Sequence, residues 1–443
     1  MSLDRIERHD PELNAVVSIS PGEVLEQARR LDRELRAGRW RGPLHGIPVG
    51  LKDVIDCRGS STTMGSAFCQ DNVASRDASA VRRLRRAGAV LIGKLHTQEY
   101  AYGATGEHAF TGACRNPSDL ERMSGGSSSG PAAAVASGMC LAALGTDTGG
   151  SVRIPASLCG VVGLKPTMGR ISRIGVAPLS WTLDHVGVIT SSIADNAALL
   201  AVVSGFDRAD PESRRRRPED FTRYLGADVR GLSIGVPSSY FEHLDPEIRS
   251  GVDTALRVWK ERGCGISLVA VPQLDRFIKA QRTVLTTEAY AVHRQRFEEQ
   301  PQLFQDSVRQ RLEDGSMISA WRYAESYRLR DEARRVFDEA LASVDVLVTA
   351  TVPILAPLLG QQATSAAGLV ETVQSALTRL TGVTNFSGHP SLTLPCGRSK
   401  LGLPLGVQLI GRRWEEALLY RFGQTLEDSC PAIAFGSRGL GRG

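Results

Sequence analysis

The 443-residue chain has no apolar run approaching the roughly 20 residues that a membrane-crossing helix needs. Its opening residues, Met1-Ser-Leu-Asp-Arg-Ile-Glu-Arg8, are charged from the start and contain no apolar h-region, so no secretory signal is expected. The eight cysteines, at positions 57, 69, 114, 140, 159, 264, 396 and 430, form no Cys-x-x-Cys pair. Cys140 and Cys159 lie inside apolar runs, as small buried hydrophobes of a reducing compartment do. The eight histidines show no ligand spacing such as His-Glu-x-x-His, which argues against a metal site. Charge of one sign is also scarce. The 53 basic and 48 acidic side chains leave a net charge of +5, too little to draw the chain to nucleic acid or to a membrane surface. The densest basic run, Arg214-Arg-Arg-Arg217, is flanked by acids and prolines and reads as a solvated loop rather than a nucleic-acid patch. The expectation is a cytoplasmic protein, a monomer or homodimer, with no metal, no other cofactor, no nucleic-acid partner and no membrane contact.

Glycine, by contrast, is plentiful at 45 residues, within a composition of 42% apolar and 23% charged residues. Such a chain folds as a globular protein with many tight turns. Residues 5–38 are expected to form one helix ending near Gly38. The run from Pro43 to Asp56 reads as strand and turn. Residues 78–87 form a basic amphipathic helix that Gly88 stops, and Ala89-Val-Leu-Ile-Gly93 is a short buried strand. A buried helix is expected over 131–139, with Pro131 suited to its first turn. A strand over 140–144 and a glycine-rich loop over 145–151 follow. From 247 to 344 the pattern is largely helical and charged. Strand character returns at Asp345-Val-Leu-Val-Thr349 and Ser391-Leu-Thr-Leu-Pro395. Alternating strands and helices indicate an α/β architecture. The expected organisation is one domain over 1–443, with a core of 1–205 and 345–435 and a helix-rich insert over 206–344.

Two motif matches carry little. Gly88-Ala-Val-Leu-Ile-Gly-Lys-Leu95 nearly fits a phosphate-binding P-loop, but its loop would consist of strand-forming residues, and Leu95 stands where a magnesium-binding Ser or Thr belongs. Gly126-Ser-Ser-Ser-Gly130 fits a nucleophile elbow centred on Ser128, which needs a later acid and histidine; His389 is one candidate. A Ser-x-x-Lys pattern is absent around these serines. More informative is the whole span 124–167, in which two serine-bearing glycine loops are joined by a small-residue helix and a strand. Thr148-Gly-Gly-Ser151 is suited to presenting successive backbone N–H groups into a concavity, because glycine permits φ > 0 and places no side chain in the way. Such a cradle can hold an oxyanion.

With Gly-Thr-Asp-Thr-Gly-Gly-Ser-Val-Arg over 145–153 following the serine loop, the span resembles the signature of the amidase signature family. Further matching segments are Gly42-Pro-Leu-His-Gly-Ile-Pro-Val-Gly-Leu-Lys-Asp53, Arg115-Asn-Pro117, Gly163-Leu-Lys-Pro-Thr167, Gly169-Arg-Ile-Ser172, Ser180-Trp-Thr-Leu-Asp-His185 and Gly402-Leu-Pro-Leu-Gly-Val-Gln-Leu-Ile-Gly411. The resemblance implies an α/β fold with a large mixed β-sheet flanked by helices on both faces. It also implies hydrolysis of carboxylic amides, and by some members of aryl amides, carbamates or esters, through an acyl-enzyme. Residue by residue, it implies a catalytic Lys52, a cis-peptide Ser127 and a nucleophilic Ser151. The oxyanion donors would be the amides of Thr148, Gly149, Gly150 and Ser151, with Ser128, Asp147 and Arg153 in support. Three departures from the family pattern are Ser129 and Pro131 in the serine loop and Ala350 in Thr349-Ala-Thr351. The helical region before Lys52 is also shorter than in many relatives.

These residue types suit the chemistry. A serine hydroxyl is a poor nucleophile without a base, and lysine, with an ordinary pKa of about 10.4, serves as base only where burial lowers that value. Leu51, Val54 and Ile55 around Lys52 provide such a setting. Pocket walls are expected from Tyr100, Ala101, Tyr102, Gly103, Gly126 and Trp181, whose aromatic rings suit aryl or bulky acyl groups. Two rival functions stay in view: the A-type component of a glutamine-dependent amidotransferase working with partner chains, and a non-catalytic member of the family.

Overall fold

In a computed structural model that describes residues 1–217 and 219–430, eleven strands join one sheet. In chain order they are β1 (Val16–Ser18), β2 (Pro48–Lys52), β3 (Val90–Leu95), β4 (Ala142–Asp147), β5 (Val162–Lys165), β6 (His185–Thr190), β7 (Ser233–Pro237), β8 (Gly265–Val269), β9 (Val346–Ala350), β10 (Ser391–Arg398) and β11 (Pro404–Ile410). The spatial order is β1-β3-β2-β4-β6-β5-β10-β11-β9-β7-β8. β2 runs parallel to β3 and β4, and β7 runs parallel to β8 and β9, while the remaining pairs are antiparallel. This is the large mixed sheet of the expected α/β class.

Both faces of the sheet are covered, and the pleat shows how. Val90 and Ile92 of β3 join one apolar cluster while Leu91 joins the other; Ala143 of β4 faces one and its neighbours Ala142 and Leu144 the other. On the first face pack the helices Ser2–Leu13, Pro21–Arg36, Ser129–Ala136 and Arg153–Cys159. The second face is covered by Ser79–Arg86, Ile193–Val203, Pro246–Glu261, Leu274–Glu299, Ala320–Ala342 and Glu416–Ser429.

The single helix expected over 5–38 is two helices with β1 between them. Asn14 takes the left-handed conformation (φ 53°) that ends the first helix. The Asp10 carboxylate then accepts from the amides of Ala15 (2.7 Å) and Val16 (3.0 Å), turning the chain into β1, and Pro21 opens the second helix. The β-branched Val16-Val17 pair favours the strand that this turn allows. The stretch 206–344 carries four long helices, and it also contributes β7 and β8, which extend the same sheet beyond β9. Residues 431–435 of the expected core lie outside the described residues.

Candidate active site

β2 and β4 are parallel neighbours, with Leu51 opposite Leu144, so Lys52 and Thr146-Asp147 arrive side by side at their carboxyl ends. That edge is where open α/β sheets place their ligands. Lys52 is fully buried, and its Nζ donates to Ser127 Oγ and to Thr146 Oγ1, each at 2.8 Å. Burial pushes its pKa down to about 7, against the pull of the Asp147 and Asp184 charges. A hydroxyl offers a hydrogen bond without neutralising the ammonium, so the uncharged amine is accessible near neutral pH.

Ser127 follows Gly126 through a cis peptide bond. The next residue, Ser128, donates its amide to the Ser151 carbonyl at 3.1 Å, which brings the two serine loops together. Ser151 keeps 8% of its surface open, whereas Ser127 and Lys52 have none, so of the three Ser151 alone can meet a ligand from outside. Its hydroxyl makes no hydrogen bond among the described residues. The Ser128 hydroxyl, the elbow alternative, is buried and committed to β4, donating to Thr146 O (3.1 Å) and accepting from Thr146 N (3.3 Å). Ser129, a departure from the family pattern, has a use as well. His96 Nε2 meets the Gly112 carbonyl at 2.8 Å and must be the donor there, so His96 Nδ1 accepts from Ser129 Oγ at 2.7 Å. Burial pushes His96 down to about 4 and keeps it neutral.

The loop carrying Ser151 is clamped from below. Asp147 accepts from the amides of Gly150 (2.8 Å) and Val152 (3.1 Å), and it forms a two-pronged pair with Arg153, Nε at 3.0 Å and Nη2 at 2.8 Å. Burial alone would raise this carboxyl, but the Arg153 charge and hydrogen bonds hold it well below the usual carboxylate range. Arg153 in turn donates to Thr381 O, Thr384 Oγ1, Asn385 Oδ1 and Gln408 Oε1. Asn385 returns a bond to Asp147 Oδ1 at 2.8 Å. Every charge in this network has partners, which is the condition under which a buried ion pair holds a fold in register.

One consequence concerns the four amides expected to receive an oxyanion. The Gly150 amide is taken by Asp147, while those of Thr148, Gly149 and Ser151 have no internal acceptor among the described residues. Gly150 has its φ at +125°, and a Cβ there would lie 2.1 Å from Thr381 Oγ1, so glycine is required. Gly149 would meet nothing nearer than Gln281 Nε2, at 3.7 Å, so its face is open.

The expected pocket residues divide. Tyr100 is buried against His293 (ring centroids 4.2 Å apart) and Phe304 (5.4 Å), in an aromatic cluster under the helices of 274–316. Tyr102 is buried too, with its hydroxyl on Thr286 and the Arg311 guanidinium over its ring. Ala101 belongs to the main core. A Cβ at Gly103 would strike the Gln98 side chain, and one at Gly126 would strike the Gly106 amide, so these glycines serve close packing. Trp181 is 48% exposed and is the one aromatic of the set that faces solvent.

Several residues at the site were given no role by the sequence. Thr146 is the second partner of Lys52. Asp184 accepts from Thr148 Oγ1 at 2.7 Å and from the amides of Leu179 and Ser180, tying the loop of 179–184 to the glycine cradle. Glu288 holds that loop to the long helix Leu274–Glu299, accepting from the Thr182 amide at 3.0 Å and from the Ser180 hydroxyl. Gln281, on the same helix, donates to Thr148 O at 3.4 Å. For Asp184 the Ser180–His185 segment was the available signal; Glu288 and Gln281 lie outside any matching segment. Among the described residues, no cluster of three or more His, Cys, Asp or Glu side chains could hold a metal ion, and no helix is long and apolar enough to cross a membrane.

The Amidase family model matches residues 1–420. An amidase of Pseudomonas putida is 41% identical over 428 residues, covering 96% of this chain and 90% of that protein. The A component of the glutamyl-tRNA(Gln) amidotransferase of Lachnospira eligens is 37% identical over 451 residues, covering 96% of this chain and 92% of that protein. Among solved structures, one described as a vestigial protein complex revealing the evolutionary origins of an s-triazine catabolic enzyme superposes with a TM-score of 0.94. It is 33% identical and covers 99% of this chain and 95% of that one.

Proposed function

The chain belongs to the amidase signature family and is a hydrolase of C–N bonds; from that premise we propose that it cleaves small carboxylic amides through a Ser151 acyl-enzyme, with Ser127 as proton relay and Lys52 as base. The observation that carries this is the buried Lys52 amine, 2.8 Å from Ser127 Oγ, on a loop bonded to the Ser151 backbone.

In the proposed cycle, Ser151 Oγ attacks the amide carbonyl carbon as its proton passes to Ser127 Oγ and the Ser127 proton passes to Lys52 Nζ. This needs the two serine hydroxyls within hydrogen-bond distance once substrate is bound. The C–O⁻ that forms is received by the amides of Thr148, Gly149 and Ser151, while Gly150 holds the loop through Asp147. Collapse breaks the C–N bond, and the relay runs backwards, from Lys52 through Ser127 to the departing nitrogen. Water then attacks the ester by the same route and releases the acid. Trp181, at the solvent edge of the loop that Asp184 ties to Thr148, favours aryl or bulky acyl groups, and the family resemblance extends the range to carbamates and esters. Eight free thiols accord with a reducing cytoplasm.

Ser151→Ala is expected to lower kcat by about 10⁴-fold or more on every substrate in a panel of amides, anilides, carbamates and esters. Retained turnover would sink the assignment. A second reading, a glutamine-hydrolysing component that works with partner chains, is favoured by the likeness to the amidotransferase relatives. Glutaminase activity that appears only with a co-purifying chain would select it.

A further inference from the structure

The Arg214–Arg217 run is exposed, as expected of a solvated loop, and three of its four arginines also border a cleft. Arg214, Arg215 and Arg216 line one side of a cleft of about 470 Å³, and Arg330 and Arg334 from the helix Ala320–Ala342, with Arg413 from the turn after β11, line the other. Among the described residues Glu212 is the only acid in the lining, and it sits 3.4 Å from Arg214. Asp331 pairs with Arg334 and Asp338 with Arg413. For Arg215, Arg216 and Arg330 there is no carboxylate within ion-pair distance among the described residues.

Two of these guanidiniums lie over aromatic rings. Arg216 stacks on the Trp414 ring at 4.5 Å and Arg215 on Phe206 at 4.8 Å, an arrangement that leaves the N–H edges free. Arg330 uses Nε to donate to the Phe386 carbonyl at 3.2 Å. Arg413 Nε is buried with no acceptor among the described residues, a costly condition for a charged donor. The crowding is felt electrostatically: burial, together with the charges of Arg330 and Arg413, lowers the Arg334 pKa. Like charges gathered at such cost, with forked donors pre-positioned, form a receptor for an anion that can accept from several of them at once. The volume is that of a small-molecule site rather than of a groove for an extended polymer.

We propose that this cleft binds a small polyanion of the diphosphate class, by forked hydrogen bonds from Arg215, Arg216 and Arg330. The site is distinct from the Ser151 loop, although the helix Gly382–Ser387 touches both: Ser387 borders the cleft and the Phe386 carbonyl accepts from Arg330, while Asn385 bonds to Asp147.

Calorimetric titration of the full chain with sodium pyrophosphate, at fixed physiological ionic strength, tests this. Saturable one-site binding is expected, weakened about tenfold or more in the double variant Arg216→Gln/Arg330→Gln and unchanged in the surface control Arg249→Gln. If the double variant does not fold, Arg216→Gln alone takes its place, since that side chain stands only on the face of Trp414. Arg216→Lys, which keeps the charge and loses the fork, is expected to fall between. Absence of saturable binding, or equal affinity in wild type and variant, overturns the proposal. So does tighter binding of single-stranded RNA or phosphatidylserine vesicles than of pyrophosphate, which would assign the arginines to a polymer or a membrane.

Discussion

Lys52 and Lys94 are neighbours on parallel strands, with Leu51 opposite Lys94 and Lys52 opposite Leu95, and both are buried to within 1% of completely. Their surroundings differ in one respect. Lys94 lies 3.1 Å from the Asp53 carboxylate and donates to Thr62 Oγ1, so its charge is matched inside the protein. Lys52 meets only the hydroxyls of Ser127 and Thr146. Burial lowers the Lys52 pKa, and no carboxylate in contact with the amine offsets it. Asp53 belongs to the neighbouring residue's site, although it is next to Lys52 in sequence, because successive side chains of an extended strand point to opposite faces.

The comparison can be broken at either lysine. Lys52→Ala is expected to reduce kcat by roughly 10³-fold or more, with the fold intact by circular dichroism. Full turnover would mean that another group accepts the proton. Lys94→Met should do the reverse: it strands Asp53 and costs about 3–5 kcal/mol in a denaturant melt, while kcat per folded molecule is unchanged. A melt indistinguishable from wild type would show that the Lys94–Asp53 pair does not stabilise the fold. A smaller effect sharpens the contrast through pH. Below about 7 Lys52 holds its proton and cannot act, so kcat/KM is expected to rise about tenfold per pH unit up to that point and level off above it. Smallest of all, Thr146→Val removes an acceptor that favours the charged amine, and the rising limb should move to lower pH with less than a tenfold loss of turnover. Movement to higher pH would contradict the role given to Thr146.

Much of this was legible in the chain. The α/β class followed from alternating strand and helix patterns. The resemblance of the 42–53 and 124–167 segments supplied the family, and with it the large mixed sheet. Harder to read was whatever depends on distant partners. Asn385 reaches Asp147 across 238 residues and Gln408 meets Arg153 across 255, separations at which a single sequence carries no trace of contact. The engagement of the Gly150 amide was hidden for a different reason, since it depends on where a carboxylate three residues away happens to point. β8 was missed because five residues bounded by charged helices gave too short a period to register, and its exposed residues lack the apolar run of a buried strand. The break in the first helix had a visible signal in Asn14 and Pro21, but the amphipathic pattern on either side outweighed it.

The clamp on the Ser151 loop also sets a schedule for synthesis. Asp147 and Arg153 emerge from the ribosome early, yet Thr381, Asn385 and Gln408, which complete their bonding, come late. A nascent chain that stops short of Gln408 therefore carries Ser151 without the full brace beneath its loop.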